Sequence, residues 1–188
     1  MKIALFGGSF DPVHRGHERV LEELLKRKDI DKIIIMPACL SPFKSKNVAS
    51  KEQRMSWLAK VFLGSSLLRS SADERVLIDD YEIRQEVPVP SIKSVKYLLE
   101  KYSPSTLYLV IGADHLETLH LWDSYEELAS LVTFIIANRN GVNIPSSFAQ
   151  LATYEDISST NIRQTLDLKG VNAKVKNEVY DVYRRAND

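Results

Sequence analysis

A single cysteine, Cys39, is all that 188 residues offer, so no internal disulfide can form. With four histidines beside it, the chain is also short of the ligands that a structural zinc site needs. Charge of one sign is not in excess either: 25 basic side chains balance 25 acidic ones. The basic surplus that nonspecific nucleic-acid binding usually requires is therefore absent, although a local cationic pocket stays compatible with it. No apolar run is long enough to span a bilayer. Met1 and Lys2 lead straight into a strand-like segment and not into a leader peptide. A soluble, cytoplasmic protein with no membrane or nucleic-acid partner is the expectation, and a homo-oligomer is compatible with it.

What the chain does have is ordinary globular composition, 44% hydrophobic and 27% charged. Its length suits one α/β domain over residues 1–188 that buries roughly 70% of its unfolded surface. Apolar runs alternate with helix-period segments. That pattern predicts a Rossmann-like doubly wound parallel sheet with helices on both faces. Strands are expected over 2–6, 32–36, 107–111 and 131–137, with weaker candidates at 67–69, 75–78 and 151–154. The first helix carries Val20, Leu21, Leu24 and Leu25 on one face, and a second from about 51 buries Trp57, Leu58, Val61 and Phe62. Further helices are expected over 91–102 and near 124–130. A last one buries Val175, Val179, Val182 and Tyr183. No repeat and no break in composition marks a second domain.

The densest signal is Gly7-Gly8-Ser9-Phe10-Asp11-Pro12-Val13-His14-Arg15-Gly16-His17, between the first strand and the first helix. Gly7 and Gly8 allow a sharp turn and close approach of the backbone to a ligand. Ser9 adds a hydroxyl and an N–H, and Pro12 stiffens the loop. A helix beginning near Gly16 offers free N–H groups and partial positive charge to an anion. His14 and His17, three apart, can converge on one ligand and donate to phosphate. A plain tight turn with solvated histidines would use the same residues. The lysine of a P-loop and the three spaced glycines of a dinucleotide fingerprint are both missing.

Later segments follow the second strand and the two late strands and should reach the same sheet edge, where open α/β sheets bind ligands. Gly112-Ala113-Asp114 offers close approach and a carboxylate for sugar hydroxyls. Ser158, Ser159 and Thr160 open a helix as caps or phosphate ligands, and Arg163 on its first turn brings a permanent cation. Arg139 ends another strand. The polar loop 38–50 is long enough to suspect function. Trp122 would be core by default, and His115 and His120 read as incidental surface residues.

These residues resemble the nucleotidyltransferase superfamily with the His-x-Gly-His signature. The form Gly-Gly-Ser-Phe-Asp-Pro is similar to bacterial nicotinate-nucleotide adenylyltransferases, as is Ile157-Ser158-Ser159-Thr160-Asn161-Ile162-Arg163. The resemblance covers essentially the whole chain. It implies adenylyl transfer from ATP to nicotinate mononucleotide, giving deamido-NAD and pyrophosphate, with Mg²⁺ accompanying ATP and no metal held by the protein. It implies catalytic roles for His14, His17, Lys44 and Arg163, with His17 as the main transition-state stabiliser. ATP would meet Gly7, Gly8, Ser9, Phe10, His14, His17, Gly112, Asp114, Arg139, Ser158, Ser159, Thr160 and Arg163. The mononucleotide would meet Ser9, Phe10, Lys44, Ser91 and Trp122, the indole stacking on the pyridine ring. Two loops depart from the family pattern. Pro-Pro-His-Lys is replaced by Ser41-Pro42-Phe43-Lys44, and Ser-Tyr-Thr by Val89-Pro90-Ser91. Nicotinamide mononucleotide or phosphopantetheine as acceptor, or a nucleotide-sensing module without catalysis, remain alternatives at this point.

Overall fold

The computed structural model describes residues 1–40, 47–63, 73–138, 143–153, 155 and 157–187. Its centre is a six-stranded sheet in the order β3-β2-β1-β4-β5-β6, every neighbouring pair parallel. The strands are β1 (Lys2–Gly8), β2 (Lys32–Pro37), β3 (Val76–Ile78), β4 (Thr106–Gly112), β5 (Thr133–Asn138) and β6 (Ala149–Ala152). The chain winds outward from β1 to β3, then returns to place β4 on the other side of β1. That reversal opens a crevice at the C-terminal ends of β1 and β4.

Strand alternation divides the core in two. Ala4 and Phe6 of β1 face one side with Ile33, Ile35, Tyr108, Val110 and Ile135; Ile3 and Leu5 face the other with Ile34, Leu107, Leu109 and Ile136. Helices α1 (Arg15–Lys26), α2 (Lys51–Leu58), α6 (Ser159–Thr165) and α7 (Lys176–Asn187) cover the first face. The second is covered by α4 (Ser91–Tyr102), α5 (Tyr125–Leu131) and a 3₁₀ segment, Ala113–Leu121. A short helix α3 (Tyr81–Arg84) stands between β3 and α4. Among the described residues no helix is long and apolar enough to cross a membrane.

The doubly wound expectation holds, with shifts at element ends. β1 runs two residues further, into Gly7 and Gly8, because both still pair with β2 opposite Met36 and Pro37. α5 continues to Leu131, so β5 starts at Thr133. β6 lies at 149–152, two residues before the expected run, and pairs with β5 through Leu151 opposite Ala137. Arg75 is not in β3 but ends a 3₁₀ turn, its guanidinium donating to the carbonyls of Leu25, Arg27 and Ile30. The strand considered at 67–69 lies outside the described residues.

Candidate active site

A cavity of about 700 Å³ lies over the C-terminal ends of β1 and β4. The turn from β1 to α1 forms its floor. Gly8 lets the turn close: a Cβ there would stand 3.2 Å from the Phe10 ring. Phe10 itself sits in the left-handed region at φ 47°, an uncommon state for an aromatic residue that the surrounding packing enforces. Its ring is 1% exposed, edge-on to Phe6 with centroids 5.5 Å apart.

His14 is the N-cap of α1, and its Nδ1 accepts from the Gly16 N–H at 3.1 Å. At the third position of the helix His17 answers it, its Nδ1 accepting from the His14 N–H at 3.2 Å. This is a capping box built from two imidazoles instead of Ser and Glu. It fixes the tautomer of both rings: with Nδ1 an acceptor, the proton sits on Nε2. The rings lie 3.8 Å apart at 34° and both line the cavity. Each therefore carries an oriented N–H donor in the cavity wall. Gly16 makes room for this, since a Cβ would meet His14 Cε1 at 3.0 Å.

The other expected segments reach the same cavity. Gly7, Ser9, Ser91, Gly112, Asp114, Trp122, Ser158, Ser159 and Thr160 all line it, together with Gly8, Phe10, His14 and His17. The three hydroxyls of α6 are engaged within the protein. Ser158 caps the helix by accepting from the Asn161 N–H, Ser159 donates to the Pro12 carbonyl, and Thr160 accepts from Arg163. Arg163 does not line the cavity. Its guanidinium also donates to the Asp11 carbonyl, so it braces the β1 loop from behind. Lys44, Phe43 and Arg139 lie outside the described residues.

Three residues of this region were assigned no role from sequence. Asp11, 1% exposed, accepts from the Val48 and Ala49 N–H groups and from the Tyr183 hydroxyl. His115, read as incidental, lines the cavity edge-on to Trp122 at 5.6 Å, whereas His120 is exposed as expected. Glu82 stands in the cavity wall beside Val89, Pro90 and Ser91, accepting from the Ser94 hydroxyl at 2.6 Å.

Burial pushes the Glu82 carboxyl from an ordinary 4.5 up to about 7, against the Ser94 hydrogen bond, which favours the charged form. Between those values the folded state holds more protons than the unfolded chain, so stability falls as pH rises through that window. The penalty is full above about 7 and absent below 4.5. Glu82→Gln keeps an acceptor for Ser94 without the charge. It should be more stable than the parent at pH 8.5 by about 3 kcal/mol, a gain that vanishes near pH 4. Urea denaturation at both pH values measures this; an equal gain at both would refute it.

A family model described as cytidylyltransferase-like matches residues 5–165. A probable nicotinate-nucleotide adenylyltransferase of Campylobacter jejuni is 51% identical over 185 residues, covering 98% of both chains. Another, from Sulfurimonas denitrificans, is 48% identical over 182 residues, 97% of this chain and 94% of that one. Among solved structures, Plasmodium falciparum nicotinic acid mononucleotide adenylyltransferase complexed with NaAD superposes with a TM-score of 0.78 at 23% identity, covering 99% of this chain and 96% of that one. This structural likeness bears on the fold.

Proposed function

Because the chain belongs to the nicotinate-nucleotide adenylyltransferase family, we propose that it transfers the adenylyl group of ATP to nicotinate mononucleotide, releasing pyrophosphate and forming deamido-NAD. The observation that carries this reading is the pair of imidazoles with fixed Nε2–H donors in the wall of a cavity at the sheet's switch point. The mononucleotide phosphate attacks the α-phosphorus of ATP, and the bond to pyrophosphate breaks on the opposite side. That phosphate is already an anion, so no protein nucleophile and no covalent intermediate are needed. Catalysis reduces to positioning and to stabilising charge on the transferring phosphoryl oxygens. His17 and His14 supply the oriented donors. Magnesium accompanying ATP would supply further neutralisation of the triphosphate charge.

The rest of the cavity divides into two ends. Gly112 and Asp114, with Ser158, Ser159 and Thr160, are assigned to the ATP side, where the resemblance also puts Arg139; Lys44 keeps the triphosphate role that the resemblance gives it, and Arg163 acts through the β1 loop that it braces at Asp11. Trp122, Ser91 and His115 are assigned to the pyridine side, the indole as stacking platform. Pyrophosphate release measured with ATP and each of nicotinate mononucleotide, nicotinamide mononucleotide and phosphopantetheine tests the proposal. Turnover should be greatest with the first. Preference for phosphopantetheine would overturn the substrate class, and inactivity with all three would favour the sensor.

The ATP side makes a further prediction. A Cβ on Gly112 would overlap Asp114 Oδ1, so Gly112→Ala must swing that carboxylate out of place. The KM for ATP should rise about tenfold, the loss of roughly one good hydrogen bond to a charged group, while the KM for the mononucleotide changes little. Steady-state kinetics with each substrate varied in turn provides the check, and an unchanged KM for ATP would remove Asp114 from the site.

A further inference from the structure

Arg54 is 1% exposed, yet nothing in the reaction as described uses it. The Ser50–Gln53 capping box fixes the start of α2 and so places Arg54 on its first turn, pointing at the two loops that follow β1 and β2. Its Nη1 donates to the carbonyls of Ser9 at 2.8 Å and Ala38 at 2.6 Å, and its Nη2 to the carbonyl of Cys39 at 3.2 Å. All three acceptors are main-chain oxygens. Two carboxylates, Asp11 more than Glu52, act on the guanidinium by charge, neither in hydrogen-bond contact with it.

Peptide geometry turns this into a statement about the cavity. The peptides from Ser9 to Phe10, Ala38 to Cys39 and Cys39 to Leu40 are trans. In a trans peptide the C=O and the N–H point in opposite directions. A guanidinium that draws three carbonyls toward itself therefore turns the N–H groups of Phe10, Cys39 and Leu40 away from itself. Arg54 is outside the cavity wall, whereas Ser9, Phe10, Ala38 and Leu40 are in it. The N–H groups thus face the cavity side of two adjacent loops, and successive N–H groups turned to one side form an anion-binding concavity.

We propose that Arg54 is a positioning residue for the mononucleotide phosphate: it aligns the Ser9, Ala38 and Cys39 peptides so that their N–H ends cradle the attacking phosphate. The proposal rests on the adenylyl-transfer reading above. Its charge, buried behind the same peptides, adds a long-range attraction for that anion in a region of low dielectric. Arginine is the residue the task needs. Its planar fork reaches three acceptors at once, which a lysine ammonium on a flexible stem cannot match.

Arg54→Met and Arg54→Lys, assayed beside the parent enzyme, test the idea. The KM for nicotinate mononucleotide should rise about tenfold or more in both, while the KM for ATP stays within about threefold and far-UV circular dichroism is unchanged. A merely structural arginine would lower Tm and leave that split absent; equal movement of both KM values, or of neither, overturns the proposal. If Arg54→Met does not fold, Arg54→Lys, which keeps a buried cation and loses the fork, decides by the same criterion. An inactive parent enzyme would instead count against the adenylyl-transfer reading, so the two failures are distinguishable.

Discussion

His17→Ala should lower kcat by ~10²–10³-fold, the usual cost of removing one preorganised donor from a developing oxyanion. The geometry explains why the effect should be large. The His17 ring cannot choose its tautomer, because Nδ1 is committed to the His14 N–H. Nor can it swing freely: Phe10 packs against it with centroids 4.8 Å apart and His14 at 3.8 Å on another side. A donor fixed before substrate arrives needs no reorganisation as charge builds on the phosphoryl oxygens. Removing it should act on kcat more than on either KM. Truncation also removes half of the capping box, costing about 0.5–2 kcal/mol of stability. His17→Gln separates the two effects. Glutamine at this helical position can accept from the N-cap N–H and restore the cap, but it brings no imidazole donor. Its Tm should return toward the parent while turnover stays low. A folded His17→Ala enzyme with near-normal turnover would remove His17 from the mechanism.

The histidine pair was legible in the sequence because its determinants are local. Glycines, a proline and a helix start within eleven residues decide where both rings go. The bounds of α4 were equally legible, since Pro90 and the spacing of Ile92, Val95 and Leu98 leave little choice. Contacts between distant segments were not. Its place at the start of a helix aims Arg163 at a phosphate, but its side chain turns back to a carbonyl 152 residues away. From sequence His115 reads as an incidental surface residue. The 3₁₀ segment, whose period of three competes closely with the α-helical one in a short apolar run, carries it round to Trp122. β6 is a short edge strand with weak alternation, so its position depends on β5 more than on its own residues.

Asp11 shows the same limit most fully, and its removal should be strongly destabilising: Asp11→Ala is expected to cost about 3–5 kcal/mol. One carboxylate joins four parts of the chain. Oδ1 accepts from the Ala49 N–H at 3.0 Å and the Tyr183 hydroxyl at 2.7 Å, and Oδ2 accepts from the Val48 N–H at 3.0 Å and stands 3.8 Å from Arg163. Alanine would leave two buried donors, the Ala49 N–H and the Tyr183 hydroxyl, without an acceptor, each costing about 1–3 kcal/mol, together with the part-buried Val48 N–H and a nearby guanidinium without its counter-charge. Burial and the Asp11 charge hold the Tyr183 hydroxyl above its ordinary range, so it remains a donor throughout the working pH range. Tyr183→Phe alone should cost about 1–2 kcal/mol, since it removes one hydrogen bond to a charged group and leaves the other donors satisfied. In the double variant Asp11→Ala/Tyr183→Phe the tyrosine change should become nearly free, because the hydroxyl has already lost its acceptor. Urea denaturation of the four proteins yields that coupling directly. If the two costs simply add, Asp11 is not the centre of the network. If they couple, the Asp of the β1 loop fixes that loop to α7 and to the start of α2, and thereby holds Ser9, Phe10 and both imidazoles at the cavity.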